Sequence, residues 1–176
     1  MIGKTRLIDF STLSLKDALD LAVLIEEEAK DRYEEFMDQM EAHHNPEAVY
    51  FFRFMRRNEE KHQIQLSEKR ASLFGEEERN VRREMIFDIE APEYDEVRAT
   101  MDMREALEAA LRAEEKAYGF FVEALKQISD KEVRALFEEL RDEEVEHQRL
   151  VKVEMEKLGE GVRPNLADYG DEPVAH

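Results

Sequence analysis

The sequence predicts an all-α fold, a four-helix bundle of two antiparallel helical hairpins joined by a long crossover connection. Three observations carry that expectation. Apolar residues recur at spacings of three and four along four long stretches, which marks one buried face per helix. Charged residues make up 40% of the chain against only 6 Gly and 4 Pro, a balance that suits long solvated helices and disfavours a turn-rich β fold. The two halves of the chain also resemble each other, as a duplicated hairpin would.

The first helix is expected over about 14–43. Leu15, Ala18, Leu19, Ala22, Ile25, Ala29, Tyr33, Phe36, Met37 and Met40 form its apolar stripe, behind the capping box Ser14-Leu15-Lys16-Asp17. Asn45-Pro46 then gives an N-cap and a proline at the first helical position, opening a second helix over about 46–73. The link is short, so the two run antiparallel. A third helix, about 102–127, carries Met103, Ala106, Leu107, Ala110, Leu111, Ala117, Phe121 and Leu125, with Asp102 and Glu105 as its cap. The fourth, about 130–158, follows Ser129-Asp130-Lys131-Glu132, another capping box, and stops at Gly159. Between the second and third lie residues 74–101, too polar for a core element apart from Met85, Ile86 and Phe87, part of which is expected to form a short surface helix. A helix of ~28 residues is ~42 Å long, and about a dozen extended residues cover that length, so this connection can cross the whole bundle. The helical pairs can then lie parallel as units. The chain of 176 residues makes one domain, 1–158, followed by a short polar tail, 159–176.

The charge balance excludes several partners. With 44 acidic against 26 basic residues, a net charge of -18 repels nucleic-acid phosphates and anionic membrane surfaces. No apolar run approaches the ~20 residues that span a bilayer, and the segment from Met1 to Phe10 has no apolar signal core. A soluble, cytoplasmic protein is expected. The absence of Cys excludes disulfides, thiolate zinc sites, iron–sulfur clusters and cysteine nucleophiles. Any site chemistry must use oxygen and nitrogen.

Such donors stand where a core should be apolar. Glu26 falls between Ala22 and Ala29 on the stripe of the first helix, and Glu114 between Leu111 and Ala117 on the third. In the second helix Phe52, Met55, Glu59, His62 and Leu66 form one line; in the fourth Leu140, Glu144, His147 and Val151 form another. The internal repeat puts Glu26 on Glu114, Glu59 on Glu144 and His62 on His147. Four carboxylates brought together in a core would protonate or repel one another unless cations were present. Two divalent ions balance four carboxylates, and two imidazoles complete the donor set. A Glu from each of two helices with Glu-x-x-His from each of the other two is the pattern of di-iron and di-manganese carboxylate bundles. Mixed carboxylate and imidazole donors suit Fe or Mn, and Zn also accepts them.

The bland readings differ by residue. Glu26 and Glu114 lie in acidic runs, and a rotation by one position would solvate either; stripe and repeat argue against it. A single in-stripe His is more often a satisfied core histidine, so His62 and His147 gain weight only together. A third Glu-x-x-His spacing, Glu41 to His44, falls against Asn45-Pro46 outside the repeat and reads as a loop accident. Met37, Met40, Met55 and the aromatics at 51, 52, 54, 120 and 121 read as core filling. Tyr33, two turns after Glu26, is either packing or a hydrogen-bonding phenol near the metals.

From Leu15 to Leu158 the chain resembles the ferritin-like superfamily, and within it rubrerythrin-type diiron domains. The resemblance rests on Glu26 with Ala29 and Tyr33, on Glu59-Glu60-Lys61-His62, on Glu114, and on Glu144-Val145-Glu146-His147. It implies a four-helix bundle, an oxo- or hydroxo-bridged diiron centre, and reduction of peroxide or dioxygen. Two departures stand out. Rubrerythrins usually carry an additional Glu one turn after the first ligand of the third helix, where this chain has Ala117, which sets it apart from that family's redox-linked ligand exchange. Full-length rubrerythrins also append a cysteine-ligated rubredoxin iron; this chain lacks that module, so electrons are expected from a separate donor. The remaining six-ligand set is closer to the symmetric site of bacterioferritin-like proteins.

The expected function is a non-haem diiron oxidoreductase that reacts with peroxide or dioxygen. Glu59 and Glu144 are expected to bridge two Fe ions, with Glu26 and Glu114 as terminal ligands, one iron each on His62 and His147, and Tyr33 donating a hydrogen bond to the bound oxidant. A homodimer is the expected assembly. Two rivals share the chemistry in part. A ferroxidase for iron storage or delivery uses the same six ligands, and a non-catalytic metal-binding helical scaffold binds without reacting.

Overall fold

A computed structural model describes residues 8–86 and 102–159. The helices are α1 (Leu15–Ala42), α2 (Pro46–Phe74), α3 (Met103–Leu125) and α4 (Lys131–Gly159), with no strand among the described residues. The all-α bundle of two hairpins expected from the periodicity is what forms: α1 packs chiefly on α2 and α3 on α4.

Local chemistry sets the helix ends. The Ser14 hydroxyl accepts from the Asp17 N–H, and Asn45 accepts from the Ala48 N–H with Pro46 just inside the helix. Asp102 and Glu105 form both halves of a capping box. At α4 the cap is Asp130 rather than Ser129: its carboxylate accepts from the N–H groups of Glu132 and Val133, so the helix starts at Lys131. α3 ends at Leu125, two residues before the expected position, because the N–H groups of Lys126 and Gln127 turn to carbonyls three residues back. α2 ends at Gly75, whose φ of 55° is left-handed and favours a residue without Cβ.

The apolar core is two clusters. One joins residues 18–25 of α1, Leu66 near the end of α2, Phe121 to the end of α3, and the start of α4 from Val133 to Leu140. The other joins Tyr33, Phe36 and Met40 of α1, the start of α2, the start of α3 and Val151 of α4. That membership fixes direction: α1 and α4 run one way, α2 and α3 the other. The connection from α2 to α3 therefore traverses the length of the bundle, and the hairpins are related by reversal rather than by translation.

The described part of the crossover is anchored. Val81 and Ile86 enter the first cluster, and Met85 packs partly against it. The described part of the crossover contains one 3-10 turn, Arg83–Met85; the rest of the stretch expected to hold a short surface helix, residues 87–101 with Phe87, and the polar tail from residue 160 lie outside the described residues. Arg70 of α2 donates to the buried Asp20 carboxylate of α1 at 2.8 Å and to the carbonyl oxygens of Gly75 and Glu77. This one guanidinium clamps the hairpin to the beginning of the crossover. No helix among the described residues is long and apolar enough to cross a membrane.

Candidate metal centre

Between the two apolar clusters, partway along every helix, lies a polar layer. Glu26 follows Ile25 in α1, Glu59 lies between Met55 and Leu66 in α2, Glu114 between Ala110 and Phe121 in α3, and Glu144 between Leu140 and Val151 in α4. All four carboxylates are buried, with Glu59 and Glu114 at 0% exposure. The solvated orientation open to Glu26 and Glu114 in the sequence is therefore excluded. His147 is buried and His62 half-buried.

Two groups of three donors emerge, the ligand atoms of each lying within 4.8 Å of one another. The first is Glu59, Glu114 and His147. His147 Nδ1 lies 3.2 Å from Glu114 Oε2 and 3.6 Å from Glu59 Oε1. The Tyr33 hydroxyl donates to Glu114 Oε1 at 2.8 Å. The second is Glu26, His62 and Glu143: His62 Nδ1 lies 3.8 Å from Glu26 Oε2 and 3.7 Å from Glu143 Oε2. Glu59 also adjoins Glu26, so the groups meet. Glu144 is buried beside Glu114 but belongs to neither group of three.

The electrostatics follow from burial and proximity. Burial pushes the Glu59 carboxyl well above its ordinary value, and the neighbouring Glu26 and Glu114 charges add to this against the pull of His147. Burial pushes Glu114 the same way, but the charge and hydrogen bond of His147, with Glu144 and Tyr33, hold it below the ordinary value. Burial disfavours charge on His147, yet Glu59 and Glu114 raise it to about 10. Burial and the His147 charge lower His62 to about 4. Burial and Glu139 push Glu143 up to about 7.

These residues fit a pair of divalent cations. Neither oxygen of Glu59, at zero exposure, has a hydrogen-bond partner among the described residues, and neither does His62 Nδ1. Buried lone pairs without a donor are costly, and a cation is what satisfies several of them at once. Carboxylate and imidazole together suit Fe or Mn.

Of the six residues read as ligands, the structure brings five into the two groups and places Glu144 next to them. Tyr33 is joined to the site through Glu114. His43 and His44 are exposed at the α1–α2 turn, away from the layer. Ala117 is buried and offers no donor. Glu143 was missed by stripe reasoning because it lies one residue before Glu144 in an acidic run that reads as a solvated face. Its signal was the spacing of four from His147, which puts both on one side of α4. Beside His62 and Glu143 a small cleft of about 70 Å³ opens between α2 and α4, lined also by Gln65, Lys69, Leu136 and Glu139.

A family model described as rubrerythrin matches residues 17–155. The crystal structure of an uncharacterized conserved protein from Magnetospirillum magnetotacticum is similar, with a TM-score of 0.67 and 27% identity over 86% of this chain and 97% of that one. No curated protein matches.

Proposed function

The chain belongs to the rubrerythrin family, and from that membership we propose that it is a diiron-carboxylate oxidoreductase that reduces peroxide or dioxygen with electrons from a separate donor. The observation that carries this reading is Glu59, fully buried with neither oxygen hydrogen-bonded, in a layer of carboxylates and imidazoles drawn from all four helices. Glu26 and His62 would hold one iron, Glu114 and His147 the other. Glu59, which belongs to one group and adjoins the other, suits the shared place, and the internal repeat assigns Glu144 the same role. When bound, such a pair supplies one electron per metal and Lewis-acid polarisation of an O–O bond.

The chain's own residues do the rest. Apolar clusters lie on either side of the layer, and the cleft beside His62 is where a molecule the size of peroxide would approach it. Tyr33 is a positioning residue: its hydroxyl is engaged with Glu114, and Glu114 in turn fixes the ring of His147 through Nδ1.

Elemental analysis, followed by anaerobic Fe(II) loading and mixing with peroxide or air, tests the proposal. The expected result is two irons per chain and the absorbance of an oxo-bridged ferric pair. Metal-loaded protein that stays colourless with both oxidants would overturn it. The net charge of -18 favours a second reading, iron storage or delivery, because an acidic surface concentrates cations. A homodimer that stops at two irons per chain supports the enzyme; a large shell with continuing uptake supports storage.

A further inference from the structure

We infer that Glu143 is a metal ligand of one position only, so that the centre is built from a closed place and an open one. The inference rests on the metal-centre reading above and deepens it. The closed place is the group Glu59, Glu114 and His147, every member of which is buried. The open place is Glu26, His62 and Glu143, of which only Glu26 is fully buried.

Four observations converge on Glu143. Its Oε2 lies 3.7 Å from His62 Nδ1, as near as Glu26 Oε2 at 3.8 Å, and that nitrogen has no hydrogen-bond partner. Glu59, buried with both oxygens unsatisfied, adjoins Glu26 and so borders the same space. The repeat that aligns Glu59 with Glu144 aligns Asn58 with Glu143, so the carboxylate has no equivalent in α2. The opposite asymmetry holds on the other side: Tyr33 supports Glu114, while its counterpart on α3 is Phe121, which has no hydroxyl to offer Glu26. One place thus gains a phenol-held carboxylate inside the core, and the other an additional carboxylate at the surface.

The cleft explains what the difference does. It reaches His62 and Glu143 from solvent, and Glu139, one turn before Glu143, extends the acidic wall outward. An ion in the open place exchanges through this cleft, whereas an ion in the closed place must wait for the bundle to open. Glu143 is half-exposed, so its replacement leaves the core packing untouched.

Titration of the metal-free full chain with Co(II), followed by heat and visible absorption, decides the matter. Wild type is expected to take up two equivalents of unequal affinity. Glu143→Ala and Glu143→Gln should keep the tighter equivalent and weaken the other by at least about tenfold, the loss that even an outer-shell partner's removal brings. Glu139→Gln, which removes the same charge from the same cleft but no ligand atom, should weaken neither equivalent. Glu143 variants that titrate like wild type, or that weaken both equivalents alike, overturn the inference, as does an equal loss in Glu139→Gln. A wild-type protein without stoichiometric Co(II) would instead sink the metal-centre reading itself. Helical circular dichroism confirms that the variants compared are folded.

Discussion

The imidazole of His62 lies flat against that of His147, with ring centroids 5.3 Å apart and planes 9° from parallel. The two rings hold equivalent places in the repeat, and the reversal that relates the hairpins brings them face to face. At that distance, two imidazolium charges repel. One ring is favoured for the proton. His147 Nδ1 lies 3.2 Å from Glu114, closer than His62 Nδ1 comes to Glu26 or Glu143 at 3.8 and 3.7 Å, and that nearer carboxylate favours the proton on His147.

The metal-free protein should therefore contain one neutral and one cationic histidine at the site. With His62 at about 4 and His147 at about 10, imidazole carbon resonances should show His62 unprotonated at pH 5 and His147 still protonated at pH 9. Two site histidines titrating together near the ordinary 6.5 would contradict the stacked arrangement.

Stability should follow the same protons. Because His147 rises in the folded state from 6.5 to about 10, its contribution is complete below pH 6.5 and is lost as pH climbs through about 10. Glu59 and Glu143, both raised, also contribute at low pH and lose that contribution as pH rises, Glu143 through about 7. His62 acts in the opposite sense, adding stability as pH rises from about 4 to 6.5, and is silent above that. The melting temperature of the metal-free protein should thus fall between pH 7 and 10. Metal loading, which requires deprotonated carboxylates and neutral imidazoles, should abolish the fall.

Glu59→Met should separate stability from metal binding. Removing a buried carboxyl with no hydrogen-bonded oxygen, at nearly constant volume, relieves a desolvation penalty of about 1–3 kcal/mol, offset in part by the lost attraction between Glu59 and the His147 charge, so the metal-free protein should be no less stable than wild type. The same change should eliminate most of the rise in melting temperature that Fe(II) or Co(II) gives wild type. Denaturant melts with and without metal measure both effects, and a destabilised metal-free variant would show that Glu59 is satisfied by something other than a cation.

Tyr33→Phe removes one buried hydrogen bond to Glu114 and should cost about 1 kcal/mol in metal-free stability. Every proposed ligand remains, so the metal stoichiometry should stay at two per chain. Oxidation of the loaded protein by peroxide should slow about tenfold, as expected when a ligand loses its orienting partner. Stopped-flow absorbance provides the check; an unchanged rate would reduce Tyr33 to packing.

Arg70→Leu leaves Asp20 buried with only the more distant Arg79 and Lys16, at 3.7 and 3.9 Å, and frees the carbonyls of Gly75 and Glu77. The melting temperature should drop by on the order of 5 °C, with proteolysis in the crossover rising first. Arg70→Leu paired with Asp20→Leu should recover part of the loss, because no buried charge is then left unpaired.

The fold was legible because its signals were redundant: periodicity, caps at Ser14, Asn45 and Asp102, and a visible repeat all agreed. The donors on the stripes were legible for the same reason, since a Glu inside an apolar line is conspicuous. Glu143 was not, because its place in the site comes from His62 of α2, which does not neighbour it in sequence. Asp20 and Arg70 were hidden for the related reason that they are paired across two helices. Val81 looked like a lone apolar residue in a polar stretch, and only the path of the crossover explains its burial. Periodicity reports which face of a helix is inside; it cannot report which polar residue at the margin of that face will be covered by another helix.

The placement of the carboxylate layer between two separate apolar clusters has a mechanical consequence. Each end of the bundle is cemented by grease, while the waist is held by ionic bonds. Stripped of its cations, the molecule would give way first at its midpoint rather than fray from its tips, each end persisting as a compact four-helix knot. Cations bound there would act as the rivet through the middle of the rods, and their departure would be felt along the whole length.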